Sequence, residues 1–403
     1  MMDALLGLVR AAIWERPVPE GLTITDWPAV FRLACEHRID ALLLSVALES
    51  CTDAEILRAW QERAMITMIR QTQITDELHT VLTRLEESRI RGVVLKGVVL
   101  KVLYPEPDMR VMSDADLLVS GESFDAARSA LIEYGFALIE DDCHDDTFVC
   151  ANEAGLRIEL HRRLFDRKRQ GFLALLDEDK MFPMSKAVCR SAHGGDVWTL
   201  PETEHALFLI LHMAKHLIVT GFGLRQACDF ALFCERHGGA IDWLRLRDEC
   251  ERLNLITFTR ALMWICVERL DMPDGPGLSA FGCDAAAGEF LLADMMDAGV
   301  FGKSSDERTR SAAVVYRAFD RDAERGSGGR LARLAAAIFI RRDELHPPFM
   351  YAKRYAWLLP VAWVHRLILF VFRRDTDARR EASEGMRIAG ERLALLKQLD
   401  MVK

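Results

Sequence analysis

From residue 59 the chain reads AWQERAMITMIRQTQITDELHTVLTRLEESRI, and its apolar positions return every three or four residues over several turns. That spacing lays them along one stripe of an α-helix, and residues 1–90 as a whole keep this helical character. The pattern breaks at Arg91-Gly92. VVL is a β-branched run too short for a helix, Lys96-Gly97 follows it, and VVLKVLYPEPD predicts a short helical piece stopped by two prolines. DADLLVS predicts a strand. GESFDAARSALIEYGF predicts a helix that Ser120 or Ser123 can cap and Gly135 ends. ALIEDD, TFVCAN and LRIELHRRL predict further strands, the last two joined by the turn-like Asn152-Glu153-Ala154-Gly155. Residues 91–165 therefore read as a small mixed α/β unit.

From Pro201 the helical period returns in ETEHALFLILHMAKHLIV, LRQACDFALFCERHG and IDWLRLRDECERL. The fold class expected is α+β, a small mixed sheet embedded in a mostly helical protein. The divisions expected are an N-terminal helical segment (1–90), an α/β core (91–200), a helical domain (201–325) and a basic and apolar helical region (326–403). RGSGGR at 325–330 is the clearest linker by composition.

Composition narrows the class. With 403 residues, half of them hydrophobic, the chain can bury a large core over two or three domains. The ten cysteines are scattered, form no CxxC pair and are not clustered with histidines, which argues against a zinc site or a disulfide framework. The N-terminal MMDALLGLVRAAIWERP reads as an amphipathic helix and not a secretory signal. Together these point to a cytoplasmic protein. A net charge of −9 disfavours a nucleic-acid partner, yet residues 301–374 carry fifteen Lys and Arg against seven Asp and Glu. Within that region YAWLLPVAWVHRLILFVF (355–372) is the most apolar stretch, but Pro360, His365 and Arg366 interrupt it. It reads as a packing helix, or as a weak contact with a membrane surface, and not as a span.

The chemistry concentrates at RVMSDADLLV. In an extended strand Asp114 and Asp116 emerge on one face, with Leu117, Leu118 and Val119 continuing into the core. Two carboxylates that close repel, so a cation is expected to offset them. In metal-dependent glycosyltransferases the Asp-x-Asp follows its apolar strand, whereas here it opens one, which disfavours sugar transfer. RIELHRRL supplies Glu159, with His161 on the same face by alternation. Three oxygen ligands suit Mg²⁺ or Mn²⁺, with triphosphate oxygens completing the shell. Gly97, between a strand and a helix, lets a backbone approach phosphate, while Lys96 and Arg110 carry charge to neutralise it.

Taken together, LKGVVLKVLYPEPDMRVMSDADLLVSGESFDAARSALIEYGF and RIELHRRL resemble the nucleotidyltransferase superfamily with its polymerase-beta-like fold, and most of all a poorly characterised bacterial branch of it. The helical HMAKHLIVTGFGLRQACDFALF is similar to the same branch, so the resemblance extends to about residue 250. It implies that Asp114 and Asp116 are metal ligands and Glu159 a third ligand or the base. It also implies that Gly97 starts a phosphate-binding helix and that Arg110 and Ser113 touch nucleotide phosphates. The implied activity is transfer of a nucleoside monophosphate, AMP from ATP first among them, onto a hydroxyl-type acceptor with release of pyrophosphate. The acceptor class stays open between small molecule, peptide and protein.

The chain departs from the superfamily at Val98, where a serine or second glycine is usual, so Lys96, Lys101 or Arg110 would have to supply the phosphate grip. His212 and His216 share a helix face, and with His161, Arg225 and Asp229 they are candidate nucleotide or acceptor contacts. Helix packing, or pairing of Arg225 with Asp229, is the plainer reading. Two alternatives accompany the transferase reading: a catalytically inactive member of the same fold that binds nucleotide or a partner, and a helical interaction protein.

Overall fold

The structure is a computed structural model that describes residues 1–139, 146–165, 176–298, 349–372, 387 and 390–401. The linker expected at 325–330, the last half of ALIEDD and most of the basic 301–374 region lie outside these residues. Three short helices, α1 (Met2–Ile13), α2 (Trp27–Glu36) and α3 (Leu44–Ser50), precede a long one, α4 (Ala54–Glu87). The start of α4 is set by Asp53, whose side chain accepts hydrogen bonds from the Glu55 and Ile56 amides at 3.1 Å. With no proline or glycine before Gly92 it continues for 34 residues. Its buried positions Trp60, Ala64, Gln71, Ile74, Leu78, Val81 and Leu85 follow the three- and four-residue spacing read from the sequence.

Among the described residues seven strands then build one sheet: β1 (Val93–Val94), β2 (Ala115–Leu118), β3 (Ala137–Leu138), β4 (Thr147–Ala151), β5 (Arg157–His161), β6 (Val188–Ala192) and β7 (Gly195–Thr199). Helix α5 (Val98–Lys101) follows β1, α6 (Phe124–Glu133) follows β2, and α7 (Glu178–Met181) follows β5. The spatial order is β3-β4-β5-β2-β1-β7-β6. β2 runs antiparallel to β1 and parallel to β5, and β1 runs parallel to β7, so the sheet is mixed. The β6–β7 hairpin is an addition to the strands expected from sequence. VCRSA and GDVWT show weak apolar alternation, and their turn is His193-Gly194, closing on the Ala192↔Gly195 pair. Gly194 has φ +93°, and a Cβ there would lie 2.7 Å from the His79 ring, so no other residue fits.

The two faces of the sheet bury different partners. Val94, Ala115, Leu117, Ile158, Leu160 and Val197 pack with Ile74, Leu78, Val81 and Leu85 of α4 and with Phe124, Ala127 and Leu131 of α6. Val93, Leu95 and Leu118 join the larger core on the other side. That core is made by α8 (Glu202–Val219), α9 (Leu224–His237), α10 (Trp243–Arg252), α11 (Ile256–Trp264), α12 (Pro276–Phe281) and α13 (Ala285–Ala298). Residues of α1, α2 and α3 belong to the same core, and the Trp14 indole donates to the Leu270 carbonyl. Helices α1–α3 and α8–α13 thus form one body on one face of the sheet while α4 and α6 cover the other, in an α+β arrangement.

Near the C-terminus α14 (Met350–Arg354) and α15 (Leu359–Phe372) bury Phe349, Ala352 and Ala362 together. Tyr355, Trp357, Val361 and Val364 are exposed. Among the described residues no helix is long and apolar enough to cross a membrane.

Candidate active site

Strand register brings the acids together. β2 and β5 are neighbours in parallel, and Asp116 is the direct partner of Glu159. Side chains at paired positions leave the same face, so the two carboxylates stand side by side. His161, two residues on, shares that face, and Asp114 lies one residue before β2 with its side chain on the same side. It is the face covered by α8, opposite the one packed on α4 and α6.

The backbone at the end of β1 then turns Lys96 into this group. The Leu95 amide donates to the Asp116 carbonyl at 3.2 Å, continuing the antiparallel ladder by one residue. Gly97 follows with φ +68° and ψ −116°, the geometry of the first central position of a type II′ turn. A Cβ there would sit 2.3 Å from the Met112 sulfur, so glycine is required by backbone and packing together. Lys96 Nζ lies 2.7 Å from Asp116 Oδ2, 3.8 Å from Asp114 Oδ2 and 2.9 Å from His212 Nε2. Its ammonium therefore stands between the paired aspartates, where the sequence reading expects a metal ion.

The charges tune one another. Burial works against the Asp116 carboxylate, but Lys96 and His161 outweigh it and hold its pKa well below the usual range. Burial and the neighbouring Asp116 and Asp114 raise Glu159, making it a basic carboxylate. Burial also opposes the Lys96 charge, yet the three acids raise its pKa, so it stays an ammonium. On α8, burial and Lys96 lower His212 well below its ordinary value and bring His216 down to about 3, so both imidazoles are neutral. His212 Nε2 must then accept from Lys96, while His216 Nε2 lies 3.2 Å from it.

The donor set suits a divalent cation. Asp116, Glu159 and His161 offer ligand atoms that all lie within 4.8 Å of one another. Asp116 Oδ2 is close to Lys96 but off the hydrogen-bond angle, so this buried oxygen has a counter-charge without a directed hydrogen bond. His161 Nε2 is 3.3 Å from Asp116 Oδ1, and its Nδ1 is 3.3 Å from Thr147 Oγ1. The Thr147 hydroxyl can accept from Nδ1–H, which frees Nε2 for a metal. Two carboxylates and an imidazole accept Mn²⁺ as readily as Mg²⁺.

Other residues singled out from sequence sit elsewhere. Arg110 is buried and spans the Asp229 carboxylate with two hydrogen bonds, Nε at 3.0 Å and Nη2 at 2.6 Å, while the Tyr104 hydroxyl donates to the same group at 2.7 Å. Arg225 donates to the Val111 carbonyl at 2.7 Å, and Asp229, four residues along its helix, takes Arg110 instead. Arg110, bonded to Asp229, and Arg225, bonded to Val111, thus tie the 110–112 segment to α9. Ser113 Oγ accepts from Arg38 Nη1 at 2.9 Å. The helix after Gly97 has only four residues, and Val98 is fully buried against the α4 face. Lys101 is buried as well, bonded to Gln71 O, Thr75 Oγ1 and Asp108 Oδ1, and burial pushes its pKa down to about 8.

Two contributors escaped the sequence reading. Arg38 comes from the far N-terminal helices. Gln71 brackets Met112, accepting from its amide at 2.7 Å and donating to its carbonyl at 3.0 Å, so α4 fixes the approach to β2. A glutamine on a mostly apolar helical stripe was its signal.

Compared with known proteins, residues 23–271 match a family model described as an uncharacterised nucleotidyltransferase. No curated protein and no solved structure matches.

Proposed function

The chain belongs to this nucleotidyltransferase family, and we propose that it is a divalent-metal-dependent enzyme that moves a nucleoside monophosphate from a nucleoside triphosphate onto an acceptor hydroxyl. The observation that carries this reading is the register pairing of Asp116 with Glu159, with Asp114 and His161 on the same face and Gly97 at the adjoining turn. When bound, the cation would be held by Asp114, Asp116, Glu159 and His161, and would neutralise charge on the phosphates.

The chain's own groups account for the remainder. Glu159, made more basic by burial and the neighbouring acids, takes the proton of the acceptor hydroxyl. The acceptor oxygen bonds to the α-phosphorus, the α–β bridging P–O bond breaks, and pyrophosphate leaves with the electron pair. Arg38, beside Asp114 and bonded to Ser113, is the cation best situated to meet phosphate oxygens. Arg110, Asp229 and Arg225 act as positioning residues for the 110–112 segment. Lys96 remains near the reacting phosphates and is bridged to α8 by His212. ATP is the first nucleotide to test, and the acceptor is a small molecule, peptide or protein that reaches the face below α8.

The test is incubation of the full chain with Mn²⁺ or Mg²⁺, each of the four α-labelled triphosphates and cell extract, followed by mass measurement of whatever gains label. Pyrophosphate release that is lost in Asp116→Asn and Glu159→Gln supports transfer. A second reading, nucleotide binding without turnover, is favoured by the burial of Val98 and by the ammonium between the aspartates. Calorimetric binding of ATP without pyrophosphate release under any of these conditions selects it.

A further inference from the structure

We propose that Lys96 is a built-in counter-ion that competes with the divalent cation for Asp114 and Asp116, holding the carboxylates together until the cation displaces it toward His212. This rests on the metal-dependent reading of the same site and goes beyond it, since it assigns the resting state of the centre and the residue that yields when the cation enters.

Three observations carry it. The first is position: Nζ is 2.7 Å from one aspartate and 3.8 Å from the other, so it takes the space between the ligands instead of lining it. The second is charge. Asp114 and Asp116 share this one ammonium at ion-pair distance, while Glu159 meets Arg157 at 3.6 Å, so the two aspartates keep an affinity for further positive charge even with the lysine in place. The third is a place to go. His212 Nε2 is already 2.9 Å from Nζ, with His216 Nε2 3.2 Å beyond, and both rings are neutral. A short swing of the flexible stem toward α8 would keep the ammonium hydrogen-bonded while clearing the carboxylates. Its backbone is held by Gly97 and the β1 ladder, so the motion is confined to the side chain.

The experiment is calorimetric titration of Mn²⁺ into the metal-free full chain, without nucleotide, for the natural protein, Lys96→Met and Lys96→Arg. Removing the charge at this distance should tighten Mn²⁺ binding at least about tenfold. Lys96→Arg, which keeps the charge, should stay near the natural affinity. In chelator Lys96→Met should unfold at a lower temperature, and Mn²⁺ should restore the loss. If the natural protein binds Mn²⁺ and Lys96→Met binds no tighter, the counter-ion role is overturned while the metal-dependent reading stands. If neither binds Mn²⁺ although both are folded, the metal-dependent reading itself falls. Should Lys96→Met fail to fold even with Mn²⁺, the natural chain decides. The nitrogen-15 signal of its Lys96 ammonium shifts on saturation with Mg²⁺ if the lysine is displaced, and an unmoved signal overturns the proposal.

Discussion

Two buried cations face aspartates in this molecule, and they are provisioned differently. Arg110 meets Asp229 through two parallel donors, and Tyr104 adds a third, so the carboxylate has both oxygens satisfied and its charge matched. Lys96 meets Asp116 at close range but shares a small volume with Asp114 and Glu159, and one Asp116 oxygen is left without a directed hydrogen bond. The first cluster is closed: charge and geometry both balance, and nothing further is needed. In the second, two aspartates share one ammonium, with Glu159 close by and met by Arg157 at 3.6 Å, a crowding of carboxylates that folding alone would not favour. Desolvated like charges persist where a ligand repays them. The contrast separates a pair that supports architecture from a cluster whose donors suit a cation, although both are an aspartate beside a base.

Breaking the closed cluster should have the largest effect. Arg110→Ala leaves Asp229 buried without its partner, and the loss expected is about 3–5 kcal/mol of unfolding free energy, read by urea denaturation. A change below about 1 kcal/mol would erase the distinction drawn here. Asp116→Asn should do the opposite: nucleotidyl transfer, followed as pyrophosphate release, falls at least about a hundredfold while the far-UV spectrum is kept. Gly97→Ala tests the turn that aims Lys96. The positive φ and the Met112 sulfur make alanine cost about 1–3 kcal/mol, visible as a lower unfolding temperature.

The smallest effect is a pH dependence. Burial lowers His216 to about 3 and His205, which donates to the Leu95 carbonyl, to about 4. Their folded values lie below the unfolded one near 6.5, so their contribution is complete above that pH and is lost as pH falls toward 4. Between pH 7 and 6 each should remove about 0.7 kcal/mol, and His205→Gln should flatten its share of the slope in urea titrations.

The legible parts of the molecule were those that local rules govern. The period of α4, the strand of Asp116 and the facing of Glu159 and His161 follow from alternation and spacing along a single segment. What could not be read were pairings across the chain. Arg110 looks like a phosphate ligand beside Asp114, and only the docking of α9 turns it toward Asp229. The β6–β7 hairpin has mostly exposed side chains on β6, so its apolar pattern was faint, and its role is visible only when β7 lies against β1. Lys96 read as a phosphate contact because its distance to both aspartates depends on the pairing of β1 with β2 and on the backbone turn at Gly97.

The parallel pairing of β1 with β7 has a consequence for how the centre comes into being. β1 is two residues long, and its grip comes from chain made about a hundred positions later: Val93 pairs with Trp198, the Thr199 hydroxyl donates to the Val94 carbonyl at 2.7 Å, and His205 caps the Leu95 carbonyl at 2.8 Å. A fragment ending at 165 would contain every carboxylate of the site and the β1–β2 pairing, yet would leave the other edge of the lysine-bearing strand unpaired. Closing so distant a contact is slow, so the second neighbour of β1 and the α8 cover over the acids should arrive late in folding, after β7 and α8 have been synthesised and docked.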